Sequence, residues 1–534
     1  MGIHVILDID PDGIEASAWN AIYEQSLALL EAWQPRLLGY GTRLVEGVRV
    51  PLYARTLRSG VGAPDKACWS VSGDRESLRT AECASLYRDL SHYRPRRAKR
   101  SQTSDLLLSA ARRDDGTCEG VRVFGDKTQG HPYHLAVLAA AMLVEERFPL
   151  HAMAWGNIDR GQAEKARCLA APILGRELPL PVRTDPPQLL ERLRQAFGPD
   201  ELGDAFLRVH LGGAWPGSVE PVLRELPGAS GARPWKRLLA GHAKASEAGV
   251  VLLLVDWLNA GRDLREACRF ACLDPQGPRF EPEAFVRSLA RTFVAIPRSV
   301  REPLDVLSKP EGSPYTIDAA LGSALLDMDT GGRHLRVGRE KAALETDLAE
   351  VFGERGGPLA TRLFEHSTAL EEELREMGDA LSHLLPKLAE QGTDDTESLA
   401  ALEAPERMGP TQRLSVQAVA WYVSEGVSSM EREPPEFAKA LRDPRLARRI
   451  VAHALSERGP VLTEEAWDAF LAETDPDALA WWCTLAASPL TELHLSQVRR
   501  ALLENARLRA ASRDPKQRSE WANLLEKARK RRPE

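Results

Sequence analysis

Between residues 120 and 197, three short apolar runs alternate with longer segments of helical period. "GVRVFG" precedes "PYHLAVLAAAMLVEERF", "HAMAWG" precedes "RGQAEKARCLAAPIL", and "LPLPVRT" precedes "PPQLLERLRQAF". Strand–helix units in series restrict a chain to a sheet joined by right-handed crossover helices. After about residue 198 the alternation stops, and helical segments follow one another across short Gly and Pro breaks with almost no strand signal. The pattern predicts an α+β, mostly α, chain. An α/β domain over residues 1–197, with a small mixed or parallel sheet, precedes a large all-helical region. The stretch "EQGTDDTESLAALEAPERMGPTQ" divides that region into 198–395 and 396–534.

Nearer the N-terminus, "IHVILDI" reads as a strand, and Trp19, Ile22, Tyr23, Ser26, Leu29, Leu30 and Trp33 form one helical stripe. "TRLVEGVRVPLYART" reads as a hairpin turning at Glu46-Gly47. Asp-Pro pairs at 185, 443, 475 and 514 mark helix starts, because Asp caps free N–H groups and Pro at the first helical position forfeits no needed bond. Their spacing in the C-terminal part is compatible with stacked helical hairpins, although no residue-level repeat accompanies it. "AGVVLLLVDWLNAG" is too short to span a membrane and carries Asp256, so it reads as a buried helix. Trp481 and Trp482 are adjacent, and adjacent helical residues point about 100° apart. Burying both requires packing on two sides.

The net charge of -7 provides no basic field for nucleic acid. The basic stretches "RPRRAKR" and "KARKRRPE" lack an aromatic platform and read as solvated surface, as does the acidic "EEELRE". Only 13 of the 70 basic residues are lysine, a bias expected of a GC-rich bacterial genome. The seven scattered cysteines fit reduced thiols in a cytoplasm, and "MGIHVILDID" has no signal-peptide pattern. Cytoplasmic localisation without membrane insertion is the expectation.

The first candidate site is "DIDPDG". Asp8, Asp10, Asp12 and Gly13 satisfy the opening positions of a calcium loop, but its twelfth position is Trp19, which supplies no oxygen. The strand with Asp-x-Asp also resembles the first motif of haloacid-dehalogenase-type phosphatases. Pro11 departs from that motif, and no later magnesium-binding segment follows. The remaining reading is a turn with Gly13 at positive φ, followed by Ser17 as a helix cap.

"GDKTQGHPYH" is the denser cluster. Strand ends in open α/β sheets collect ligands near helix N-termini. Here Asp126, Lys127 and His134 are candidate catalytic groups, and Thr128, Gln129 and His131 candidate ligand contacts. Asn157, Asp159 and Arg160 follow the second strand, and Arg183 follows the third. With parallel strands, all these loops share one edge, where Lys127, Arg160 and Arg183 hold an anion and a histidine moves a proton. The competing reading is helix capping. No metal site is expected, since HExxH and nearby Cys pairs are lacking, and no cofactor motif is present. Cys268 and Cys272 share a helix face and read as core. The sequence therefore supports a protein-interaction or regulatory role with another protein as partner. The alternative is an enzyme or binder of a small anionic ligand.

Overall fold

A computed structural model describes residues 3–60, 66–94, 107–108, 120–211, 225, 228–297, 299–301, 335, 337–391, 396–430, 442–490 and 492–513. Most of "RPRRAKR", all of "KARKRRPE" and the Asp514-Pro515 pair lie outside these residues.

Two sheets form the N-terminal part. Strands β1 (Val5–Ile9), β7 (Val121–Phe124) and β8 (Ala152–Gly156) make the first, in the order β7-β1-β8. β1 is antiparallel to both neighbours, so this sheet is not parallel, and the mixed alternative is met in the second sheet. β7 and β8 point the same way but never pair, because β1 lies between them. The predicted third strand, "LPLPVRT", does not form. Pro179 and Pro181 remove alternate N–H donors that a ladder needs, and Val182–Thr184 closes into a 3-10 turn instead.

The second sheet was largely invisible in sequence. β2 (Leu37–Val45) and β3 (Val48–Ala54) form the expected hairpin, with Glu46 at φ 44° and Gly47 at φ 81° supplying the turn. β4 (Arg58–Ser59), β5 (Cys68–Asp74) and β6 (Thr80–Tyr87) complete this part. Every residue of β5 is buried, which erases the alternation that marks a half-buried strand. The helical region is not free of strand either, since β9 (Leu462–Thr463) pairs in parallel with Leu52 and Tyr53 of β3.

Helix α1 (Ala16–Ala32) lies between the sheets. Its stripe buries Trp19, Ile22, Tyr23 and Leu30, and two indole bonds tie it to the second sheet: Trp19 Nε1 to Tyr87 O (3.0 Å) and Trp69 Nε1 to Ser26 Oγ (2.9 Å). Its N-cap is Glu15 rather than Ser17, whose hydroxyl turns back to that carboxylate. α2 (His134–Arg147) and α3 (Arg160–Leu174) join α1 over one face of the first sheet, against Val5, Leu7 and Ile9. The other face carries Asp8, Asp10, Met153 and Trp155. There Met153 packs with α4 (Pro186–Arg194) and α5 (Pro199–Val209) through Leu189, Leu193 and Phe206.

The remaining helices build two further cores. The middle one contains α6 (Gly228–Ala240), α7 (Ala248–Asn259), α8 (Leu264–Cys272), α9 (Pro282–Ala290), α10 (Lys341–Phe352) and α11 (Gly356–Gln391), around Trp235, Trp257, Phe285 and Leu363. The apolar run at 248–259 is the buried helix expected. "EEELRE" lies on α11 with its acidic side chains largely exposed. The C-terminal core contains α12 (Pro410–Met430), α13 (Pro444–Arg458), α14 (Glu464–Ala472), α15 (Pro476–Ala487), α16 (Leu493–Glu504) and α17 (Ala506–Ser512). Asp185, Asp443 and Asp475 cap their helices as the Asp-Pro pairs predict. Trp481 and Trp482 are both buried, since α15 is enclosed on all sides by its neighbours. The same core takes in Val45, Val50, Leu52 and Ala54 of the N-terminal hairpin. No helix among the described residues is long and apolar enough to cross a membrane.

Candidate functional site

The antiparallel register brings the ends of β7 and β8 together around the start of β1. His4 is the hub. Its N–H donates to Asn157 Oδ1 (3.1 Å) and its Nδ1 lies 3.1 Å from Gly125 O. Thr128 donates its N–H and its hydroxyl to Ile3 O (2.8 and 3.2 Å). The Thr128 hydroxyl also hydrogen-bonds His134 Nδ1 at 2.7 Å. Among the described residues, His134 Nε2 has no partner in hydrogen-bonding geometry. Burial holds this imidazole down at about 4, against a smaller opposing effect of the Gln162 side chain, so the ring is neutral.

Most other members of the predicted cluster are engaged by neighbouring groups. Lys127 Nζ lies 3.8 Å from Glu82 Oε1, with both groups exposed. Asp126 is raised above the usual carboxylate range by burial, with Glu82 adding to the effect and a backbone bond from Gly125 opposing it. Gln129 (φ 53°) and Gly130 (φ 71°) make the turn that lets the chain enter α2. His131 Nε2 sits 4.0 Å from Glu397 Oε2, in the C-terminal part of the chain. Asp159 caps α3, with Gln162 closing a reciprocal capping box. Arg160 pairs with Glu164 at 2.8 Å.

Arg183 does not join these groups. It is buried against the face of Trp155, its guanidinium 5.2 Å from the ring centroid, and Arg122 approaches the same ring at 5.4 Å. Trp155 Nε1 donates to Asp8 Oδ2 (2.8 Å), and Arg122 Nε lies 3.3 Å from Asp8 Oδ1. Nearby, His151 Nδ1 meets the fully buried Asp10 at 3.1 Å. The first two loops meet at one end of the sheet, while Arg183 packs on the face that carries Trp155 and Asp8, so the three do not form the single cluster expected. The premise of that expectation failed with the missing third strand.

"DIDPDG" also needs correction. Gly13 is not at positive φ. A Cβ there would stand 2.1 Å from the His151 ring, so close approach requires the glycine. The expected turn does end the strand, as a 3-10 turn over Pro11–Gly13, but Asp8 inside β1 and Asp10 just after it are buried. The available signal was period-two alternation, with Val5, Leu7 and Ile9 on one face and Asp8 and Asp10 on the other. No cluster of three or more His, Cys, Asp or Glu side chains is arranged to hold a metal among the described residues. Cys268 and Cys272 lie in the middle core, where burial raises both thiols.

Compared with protein-family profiles, curated proteins and solved structures, the chain matches none.

One surface feature went unread in the sequence. α12 turns Val416, Val419 and Val423 into the C-terminal core. Its outer face exposes Leu414 (54%), Ala418 and Tyr422 (45%), with Trp421 half-buried beside them. These residues follow helical spacing of i, i+4, i+7 and i+8, the pattern of an amphipathic helix's contact face. The valine stripe dominates the periodicity of this segment, so a second apolar face is hidden until the core side is known.

Proposed function

We propose that this chain is a protein-interaction or regulatory protein of the bacterial cytoplasm whose helical region supplies the contact surface. The observation carrying the reading is the solvent-facing Leu414–Ala418–Trp421–Tyr422 stripe on α12, on a helix whose opposite face already completes a core. Exposed apolar side chains in helical register are a recurrent feature of helix-mediated recognition. The alternative, an enzyme or binder of a small anionic ligand, requires Lys127, Arg160 and Arg183 to converge. Arg183 is buried against the Trp155 ring, and the first two are ion-paired locally.

Site-specific photo-crosslinking from position 422 tests the reading. The expected result is a discrete covalent adduct of the full chain in bacterial cells, lost in a Leu414→Asp variant that retains the parent's melting temperature. If the parent yields no adduct, the stripe is not a contact surface and the reading fails.

A further inference from the structure

We infer that the recess between α6, α7 and α8 binds a small apolar molecule that carries one anionic group. This site is separate from the α12 stripe and stands independently of the interaction reading. The recess holds about 300 Å³, counting its open mouth, and its walls include Trp235, Leu239, Leu254, Trp257 and Phe270. The two indoles meet edge to face, with 6.1 Å between ring centroids. Apolar and aromatic walls with few polar groups are the usual lining of a small-ligand site, and they set the body of the ligand as apolar.

Charge beside these walls sets the other end of the ligand. Lys236 Nζ lies 3.1 Å from Glu266 Oε1 and 5.3 Å from the Phe270 ring centroid. Gly261, at φ 68°, turns the chain between α7 and α8, and Arg262 follows with its guanidinium 5.2 Å from the Trp257 ring centroid. Among the described residues the Arg262 side chain makes no hydrogen bond and no ion pair, and its Nε is buried. Burial holds this guanidinium below its usual pKa, against a smaller opposing effect of Glu266. Two cations therefore share one carboxylate, and one positive charge is left over. Contact with the Trp257 face offsets part of the cost of burying Arg262 but leaves its N–H donors unmet. Trp235 Nε1, in the same wall, is also buried without an acceptor among the described residues. A carboxylate on the ligand bonds to the guanidinium and neutralises the surplus charge, which a neutral molecule in the recess does not do.

The experiment titrates the full chain with phenylacetate and hexanoate, each against its neutral amide, by ligand-observed NMR at constant ionic strength. At least one carboxylate is expected to bind with a Kd of about 0.1–1 mM, and its amide about tenfold more weakly. Arg262→Gln should remove that preference by weakening the carboxylate alone, and Arg262→Lys, which keeps the charge, should retain most of it. Leu253→Trp, which fills the recess from a half-buried position in its wall, should abolish binding of both forms. Melting temperatures near the parent's establish that the variants are folded. Absence of binding by both carboxylates, equal affinity of carboxylate and amide in the parent, or a preference that survives Arg262→Gln overturns the inference. So does binding that survives Leu253→Trp, which would place the ligand elsewhere on the chain.

Discussion

Two buried side chains dominate the pH behaviour expected of the N-terminal part. Glu145, on α2, accepts from Ala154 N–H (2.8 Å) and Val182 N–H (2.9 Å), clamping β8 and the 182–184 turn to the helix. Burial raises its carboxyl from an ordinary 4.5 to about 7, and the two backbone bonds, Arg192 and Arg183 offset only part of this. Between those values the folded chain keeps a proton that the unfolded chain releases. Stability therefore falls as pH rises through that window, by on the order of 3 kcal/mol at most, and levels off above it. His134 acts in the opposite sense. Its pKa drops from 6.5 to about 4, so the unfolded chain binds the proton first and stability falls as pH drops through that range. Urea unfolding in small pH steps separates the two. Glu145→Gln should lose the decline towards neutral pH, and His134→Gln should lose part of the acid decline. Parallel profiles for parent and variants would refute both assignments.

Among the elements, the β2–β3 turn and the N-terminus of α3 give the sharpest expectations. Gly47 has open space around it, so a side chain there meets no clash and only the left-handed backbone resists. Gly47→Val is expected to cost about 1–2 kcal/mol and Gly47→Asn clearly less, since Asn tolerates that region. Equal losses on thermal melting would mean that packing, not φ, sets the cost. At α3, Asp159→Ala removes the capping box and should cost about 1 kcal/mol. Asp159 was legible as a capping residue because its competing reading needed only three local residues. Arg183 was misplaced because its position depended on a strand that two prolines prevented.

For the whole molecule, the decisive feature is the core shared by residues distant in sequence. Leu52 and Leu462 lie opposite each other in the β3–β9 pair, and both belong to the core built by the C-terminal helices. Arg43 and Arg55 reinforce the contact through Asp468, each at 2.6 Å. These pairs are largely exposed, so burial of the hairpin's apolar side chains carries most of the stability. Leu52→Ala should cost about 2–5 kcal/mol. It should lower amide-exchange protection over residues 462–503 as well as in the hairpin. Protection lost from the hairpin alone would show that the C-terminal helices hold together without it.

Local chemistry decided that the Asp-Pro pairs at 185, 443 and 475 start helices, that Glu46-Gly47 turns a hairpin, and that residues beyond 198 are mostly helical. Capping, turn dihedrals and short-range periodicity each act within a few residues, so sequence carries them. Only tertiary structure decided strand order, the burial of Asp8 and Asp10, the fate of "LPLPVRT", and the union of β3 with β9. Pairing depends on which backbone groups arrive from far along the chain, and burial depends on what covers each face. The outer stripe of α12 belongs to the same class. Its residues are plain in sequence, but their exposure follows from the side of the helix that the C-terminal core took.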